Sequence, residues 1–337
     1  YYVSLTMGFA AMTAGSMIGM LLVTLAVVPA ATRYGIDSVA AAKPQLGNRG
    51  WLITVFLQYV SIIGWSSRLL SCFGKSVSQL LTTLGWIGED SGGMVVRVIS
   101  AVACIGVFVA LIKGATGLEK VSKVLFLFIV GVGAWMVYML LTNQSDAIAA
   151  AKPAYSSGDP VWDYTTGIEL GIVSLLSWWP YIGAMVRESP NAHTATLPSM
   201  LGMGLPVPLL SVIGLAAILA LQASDPSAWL IQLGGAFYGC IALLFIIAAN
   251  FGTAVAGVYA TAVGLKQVPG LGRASWSTML LLGLVPVTVV GVFLPDLFFD
   301  NFGVFLAFIG VFFAPPCAIQ IVDFLLLSHF AGMLGLH

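Results

Sequence analysis

Apolar residues run along this chain in long continuous stretches, cut by short segments in which charge, proline and glycine gather. A helix needs about 20 mostly apolar residues to cross the hydrocarbon core of a bilayer. The punctuation leaves nine such stretches, near 2–28, 51–73, 95–112, 122–141, 165–186, 199–221, 230–262, 276–294 and 300–327. Membrane β-barrel strands would alternate apolar and polar positions, and these runs do not. The pattern predicts an all-α polytopic membrane protein with one transmembrane domain over residues 1–337.

Interruptions inside the spans carry further information. The fifth holds Ser177-Trp178-Trp179-Pro180 and then Gly183, the seventh holds Gly252 and Gly257, and the ninth holds Pro315-Pro316. Proline removes a backbone donor in mid-helix. Irregular backbone at membrane depth is tolerated where it is buried or lines a cavity, and paired broken helices mark the binding sites of transporters. Simple packing kinks are the competing explanation. Gly15 and Gly19 form a small-xxx-small face of the kind that lets two helices approach closely.

Composition agrees. Of 337 residues, 59% are apolar and 8% charged, whereas soluble domains carry about 25% charge. Lys+Arg and Asp+Glu stand at 13 each, so no basic surplus exists to hold a nucleic-acid backbone. Cys72, Cys104, Cys240 and Cys317 stand singly in apolar stretches and read as small buried hydrophobes rather than metal ligands or disulfides. Zinc-protease, phosphate-loop and nucleophile-elbow motifs are missing, which argues against an enzyme and gives no cofactor.

The distribution of charge sets an orientation. Arg33, Lys43, Arg49, Lys113, Lys120, Lys123, Arg187, Lys266 and Arg273 fall after the first, third, fifth and seventh spans. The other loops hold Lys75, Arg97 and Lys152 with most of the acids, Glu89, Asp90, Asp146, Asp159, Asp163, Asp225, Asp296 and Asp300. Basic loops face the cytoplasm, so the first span enters from outside. An upstream helix beginning in the cytoplasm, removed from this chain, fits that orientation and the opening Tyr1-Tyr2. A plasma or bacterial inner membrane suits the arrangement.

Several segments together resemble one family. Gly15-Ser16-Met17-Ile18-Gly19-Met20-Leu21-Leu22, Arg33-Tyr34-Gly35-Ile36 and Gly47-Asn48-Arg49-Gly50 are similar to the second helix and following loop of the nucleobase:cation symporter-1 permeases. Gly64-Trp65 resembles a Gly-Trp pair on that family's third helix, and Ala314-Pro315-Pro316 with Asp323-Phe324-Leu325 resembles the end of its tenth. The resemblance implies that the nine spans correspond to helices two to ten of a twelve-helix permease built on two inverted five-helix repeats. In that family the first helix supplies half of the cation site and part of the substrate site.

Trp51, Trp86, Trp162, Trp229 and Trp276 fit an interfacial belt. Trp65 and the Trp178-Trp179 pair lie deep in their spans, and stacking on a flat base contributes about 1–3 kcal/mol per ring. The resemblance implies one substrate-stacking tryptophan on the third helix, matched by Trp65, and one on the sixth, matched by Trp178 or Trp179. Asn250 stands mid-span and resembles the family's substrate asparagine, although a helix–helix hydrogen bond would equally occupy it. Where the family often carries an amide one turn after its third-helix tryptophan, this chain has Leu69, which bears on substrate identity.

Sodium-coupled members carry a Ser-Thr pair on the helix of Asn250, since hard cations need oxygen ligands. The two registers place Leu244 and Phe245, or Ala248 and Ala249, at that pair, with Thr253 the nearest hydroxyl. Proton coupling is therefore expected over sodium. Ionisable residues at depth are expensive and suggest function: Arg68 and Glu169, with the hydroxyl of Thr253, are candidates for coupling or gating, with Glu169 the proton-relay candidate, and Asp323 closes the ninth span. His193, His329 and His337 lie outside the spans.

The expected function is a secondary active symporter of a nucleobase or related planar nitrogen heterocycle, working by alternating access. The partners expected are a small heterocycle and the lipid bilayer. The alternatives are an amino-acid or amine permease of the same fold and a membrane receptor that does not transport.

Overall fold

The structure is a computed structural model and describes residues 3–88, 92–153, 156–221, 226–294 and 301–327. Glu89, Asp90, Asp225, Asp296, Asp300, His329, His337 and the side chain of Trp229 lie outside the described residues. Among the described residues all regular structure is helical. The order is α1 (Leu5–Tyr34), α2 (Ser38–Ala41), α3 (Lys43–Gly50), α4 (Leu52–Thr83), α5 (Gly92–Leu111), α6 (Ala115–Asn143), α7 (Ser145–Ala150) and α8 (Pro160–Leu176). There follow α9 (Trp179–Val186), α10 (Ala192–Ser199), α11 (Pro206–Leu221), α12 (Pro226–Leu265), α13 (Trp276–Phe293) and α14 (Phe302–Ile321).

Among the described residues, eight helical stretches are long and apolar enough to cross a membrane, one of them running from α10 into α11 over Ala192–Ala220, and α8 with α9, bent by 43°, makes a ninth when the pair is taken as one span. Each stretch read from the sequence holds one of them. Boundaries move where local chemistry permits. α1 runs past residue 28 to Tyr34 and stops where Gly35, at φ 64°, adopts the left-handed conformation and bonds its N–H to the Ala31 carbonyl. α4 runs past residue 73 to Thr83, because Gly74 is a contact point rather than a terminator: a Cβ there would stand 2.7 Å from the Val96 carbonyl oxygen of α5.

The Gly15/Gly19 face does pack helix on helix. A Cβ at Gly15 would collide with the Ile168 carbonyl of α8, one at Gly19 with that of Ile172, and Gly171 meets Gly15 from the other side. This removal of three side chains lets the α1 and α8 backbones touch, and dispersion between close-packed atoms replaces the hydrophobic effect that lipid cannot supply.

Two buried clusters meet at α9. Tyr181 and Ala184 pack with α4, α5, α12 and α13. Trp179, Ile182 and Val186 pack with α1, α8 and α14. Polar contacts bring together the span ends that carry the basic loops. Gln45, after the first span, donates to Asp323 Oδ2 at the end of the ninth (2.7 Å). Trp276, opening the eighth, donates to the Leu111 carbonyl closing the third (2.7 Å), and Arg187, after the fifth, reaches Tyr259 near the end of the seventh (3.4 Å). None of the four cysteines is in a disulfide.

Candidate functional site

The break between α8 and α9 organises the centre of the molecule. Asp159 caps α8, accepting from the Val161 N–H at 2.9 Å. The helix stops at Leu176 because Pro180 has no N–H to give the Leu176 carbonyl. Trp178 N–H instead bonds the Leu175 carbonyl, and Tyr181 N–H the Trp178 carbonyl, in a tightened turn. Gln58 of α4, fully buried, donates to the Pro180 carbonyl at 2.6 Å. The Tyr181 hydroxyl donates back to the Gln58 carbonyl at 3.2 Å. The broken segment is thereby pinned to α4.

Beside the break lies a cavity of about 310 Å³, at the small end of the ~300–1,000 Å³ typical of ligand pockets. α4 contributes Ile62, Trp65, Ser66 and Leu69, spaced as one helical face. The break contributes Ser174, Ser177, Trp178 and Tyr181, and α12 contributes Thr253 and Gly257. Ser174, Ser177 and Thr253 spend their hydroxyl protons on the Leu170, Ser174 and Ala249 carbonyls. They therefore have only oxygen lone pairs left to offer. The result is a largely apolar chamber with two indoles, three hydroxyl oxygens that accept and a Ser66 hydroxyl with no partner of its own, a chemistry suited to a flat ring with polar edge atoms.

The residues singled out by sequence separate in space. Trp65 lines the cavity, its ring edge-on to Phe302 at 5.2 Å and to Phe305 at 5.9 Å. Its indole Nε1 is buried without a hydrogen-bond partner. Trp178 also lines the cavity, but Trp179 does not. Trp179 is wholly buried, donates to Gln320 Oε1 at 2.6 Å and packs against Phe313. Between neighbouring helical residues the direction turns by about 100°, which sends one indole to the cavity and the other to the wall behind.

Asn250 lies one turn before Thr253, outside the cavity lining, with Nδ2 bonded to the Ile246 carbonyl of its own helix (2.9 Å). Arg68 stacks its guanidinium over Phe302 at 4.1 Å, behind Trp65 rather than in the chamber. Glu169 is exposed on α8 and away from the cavity. Leu69 is part of the wall. The sequence reading passed over Gln58, Gln320 and the cavity serines. A buried amide in a lipid-embedded helix is costly unless paired, and that signal was available for both glutamines.

A second cavity, about 510 Å³, lies among α1, α8, α11 and α14. Ser174 and Phe302 border it, so it adjoins the first at Ser174 and at the Phe302–Trp65 contact.

No protein-family model matches the chain. Cytosine permease of Escherichia coli (strain K12) is 24% identical over 306 residues, covering 89% of this chain and 67% of the permease. Cytosine permease of Escherichia coli O157:H7 matches to the same extent. Among solved structures, Mhp1, a nucleobase-cation-symport-1 family transporter in a closed conformation with bromovinylhydantoin bound, superposes with a TM-score of 0.78. It is 18% identical and covers 97% of this chain and 72% of its own. Inward-facing Mhp1 gives 0.76 at the same identity, with 71% of its own chain covered. The chain is an integral membrane protein with the inverted-repeat transporter fold of these neighbours.

Proposed function

We propose that this chain, which resembles the nucleobase:cation symporter-1 transporters in sequence and in fold, is the transport body of a secondary active symporter for a nucleobase or related planar nitrogen heterocycle. It is a transporter rather than an enzyme, like the permease and the transporter it resembles. The observation that carries the substrate class is the pair of indoles, Trp65 and Trp178, on one chamber at a helix break. Ring faces supply stacking, and the hydroxyl oxygens of Ser174, Ser177 and Thr253 accept from ring N–H groups. Asn250 stands one turn along α12 from Thr253 and would meet the substrate by leaving its own helix carbonyl.

Coupling to protons is the reading favoured over sodium. Thr253 is the hydroxyl at hand on α12, and its proton is committed to Ala249. Leu244, Phe245, Ala248 and Ala249 offer no side-chain oxygen. Glu169, exposed on α8, would serve a relay only from the outer surface of that helix.

The experiment is uptake of labelled cytosine, uracil, adenine, hypoxanthine, allantoin and a hydroxymethylpyrimidine by cells expressing the complete protein, with and without sodium and a protonophore. Uptake of one heterocycle that survives sodium removal and collapses with the protonophore is the expected result. No uptake by protein shown to reach the membrane would sink the heterocycle reading.

A further inference from the structure

The segment after α1 does not behave as a surface loop. From Asp37 to Ala42 it turns inward, and every residue of it is buried, with Asp37 at 1% exposure and Ser38 at 0%. α2 packs against α9, α1 and α12. It seats under the lower half of the broken span at a backbone-to-backbone approach. A Cβ at Gly183 would lie 2.8 Å from the Asp37 carbonyl carbon, and the Gly183 N–H donates to Ser38 Oγ at 2.9 Å. This seat lies on the face that carries the basic loops, at the inner end of the same α9 whose outer end borders the cavity.

Within it, the Asp37 carboxyl is half satisfied. Oδ1 accepts the Ala40 N–H at 3.1 Å, as an N-cap should. Oδ2 is buried with no hydrogen-bond partner. The charges acting on the carboxyl are Arg187, at the end of α9, and Lys43, opening α3. Neither forms a hydrogen bond or ion pair with it: Arg187 reaches the Tyr259 hydroxyl of α12, and Lys43 stacks on Trp51 at 4.3 Å. α1 brings Arg33 and Tyr34, which stack on one another and are exposed. A carboxylate buried with an unpaired oxygen pays a desolvation cost that a neutral carboxylic acid largely avoids.

We propose that Asp37 is a proton-binding site of the inner gate, protonated while residues 37–42 are seated under α9 and giving that proton to water when the segment leaves. Once out, the hydrated carboxylate is free to pair with Arg187 or Lys43. Opening releases one proton and reseating takes one up, so the step balances without any other reactant. Burial pushes the Asp37 carboxyl above its ordinary range, against the opposing pull of the Ala40 N–H, Arg187 and Lys43. The seated state therefore binds the proton more tightly than the open one, and acid favours the seat. For one proton, the seat equilibrium shifts at most about tenfold per pH unit.

Hydrogen exchange of the purified complete protein in lipid nanodiscs, without substrate, tests this. Protection of the peptide spanning 36–42, corrected for intrinsic exchange, should fall by up to about tenfold per unit as pH rises, while peptides of the α1–α8 contact hold constant. Asp37→Asn mimics the protonated acid and should keep protection high and flat with pH. Flat protection in the parent protein, or a parent-like slope in Asp37→Asn, overturns the proposal. Since no substrate enters the assay, a failed heterocycle reading and a failed proton site give separate results.

Discussion

Replacing Trp178 by alanine and, separately, Trp179 by phenylalanine distinguishes a ring that meets the substrate from one that builds the wall. Trp178→Ala removes an indole face from the 310 Å³ chamber. Stacking of about 1–3 kcal/mol per base, at tenfold per 1.4 kcal/mol, corresponds to a loss of roughly 5- to 150-fold in affinity. Trp179→Phe keeps an aromatic ring against Phe313 but strips the donor from Gln320 Oε1. Leaving that buried acceptor unpaired costs about 1–3 kcal/mol of stability and should leave Kd within about twofold. The assay is equilibrium binding of whichever heterocycle the complete protein takes up, with thermal unfolding measured on the same samples. A larger affinity loss in Trp179→Phe than in Trp178→Ala would refute the assignment, as would an unchanged Kd in Trp178→Ala.

Three further expectations follow from the packing. Gly171→Val drives a branched side chain into the Gly15 backbone and should abolish accumulation of folded protein, read as loss of a monodisperse peak in detergent gel filtration. Gln58→Leu removes the donor to the Pro180 carbonyl; it should slow uptake while the protein still reaches the membrane, and a parent-like rate would remove Gln58 from any role at the break. Leu69→Gln places an amide in the cavity wall and should shift preference within the panel toward substrates with an amide edge, measured as a ratio of uptake rates; an unchanged ratio would show that this wall does not read the substrate.

The spans were legible because a bilayer demands long apolar runs, and the break at Pro180 was legible because proline cannot complete a helix; Gly252, Gly257 and Pro315-Pro316, read as interruptions on the same grounds, instead lie within helices α12 and α14, and α12 departs from helical geometry at Gly235. Gly15 and Gly19 were equally readable, since small residues four apart leave a groove. What stayed hidden depended on rotation about a helix axis and on partners far along the chain. The choice between Trp178 and Trp179 is a turn of one residue at a site where proline disturbs the register. Gln58 finds the Pro180 carbonyl 122 residues away, and Trp179 finds Gln320 at a separation of 141. Glu169 and Arg68 looked alike as charges in apolar sequence. One turns outward and the other lies over the Phe302 ring, a distinction that rests on which helices flank α8 and α4.

The two-residue interruption at Ser177-Trp178 also has a mechanical meaning. An unbroken helix is a stiff rod, and tilting one end of it tilts the other. Here stiffness is lost at the joint, the outer arm is zipped to α1 through glycine contacts, and the inner arm is held by Gln58 and by Ser38. The two arms are thus held by separate sets of contacts, and the Pro180 carbonyl between them is bound to α4. A span built this way is two short pieces leaning on different neighbours, so the packing of one end does not dictate the packing of the other.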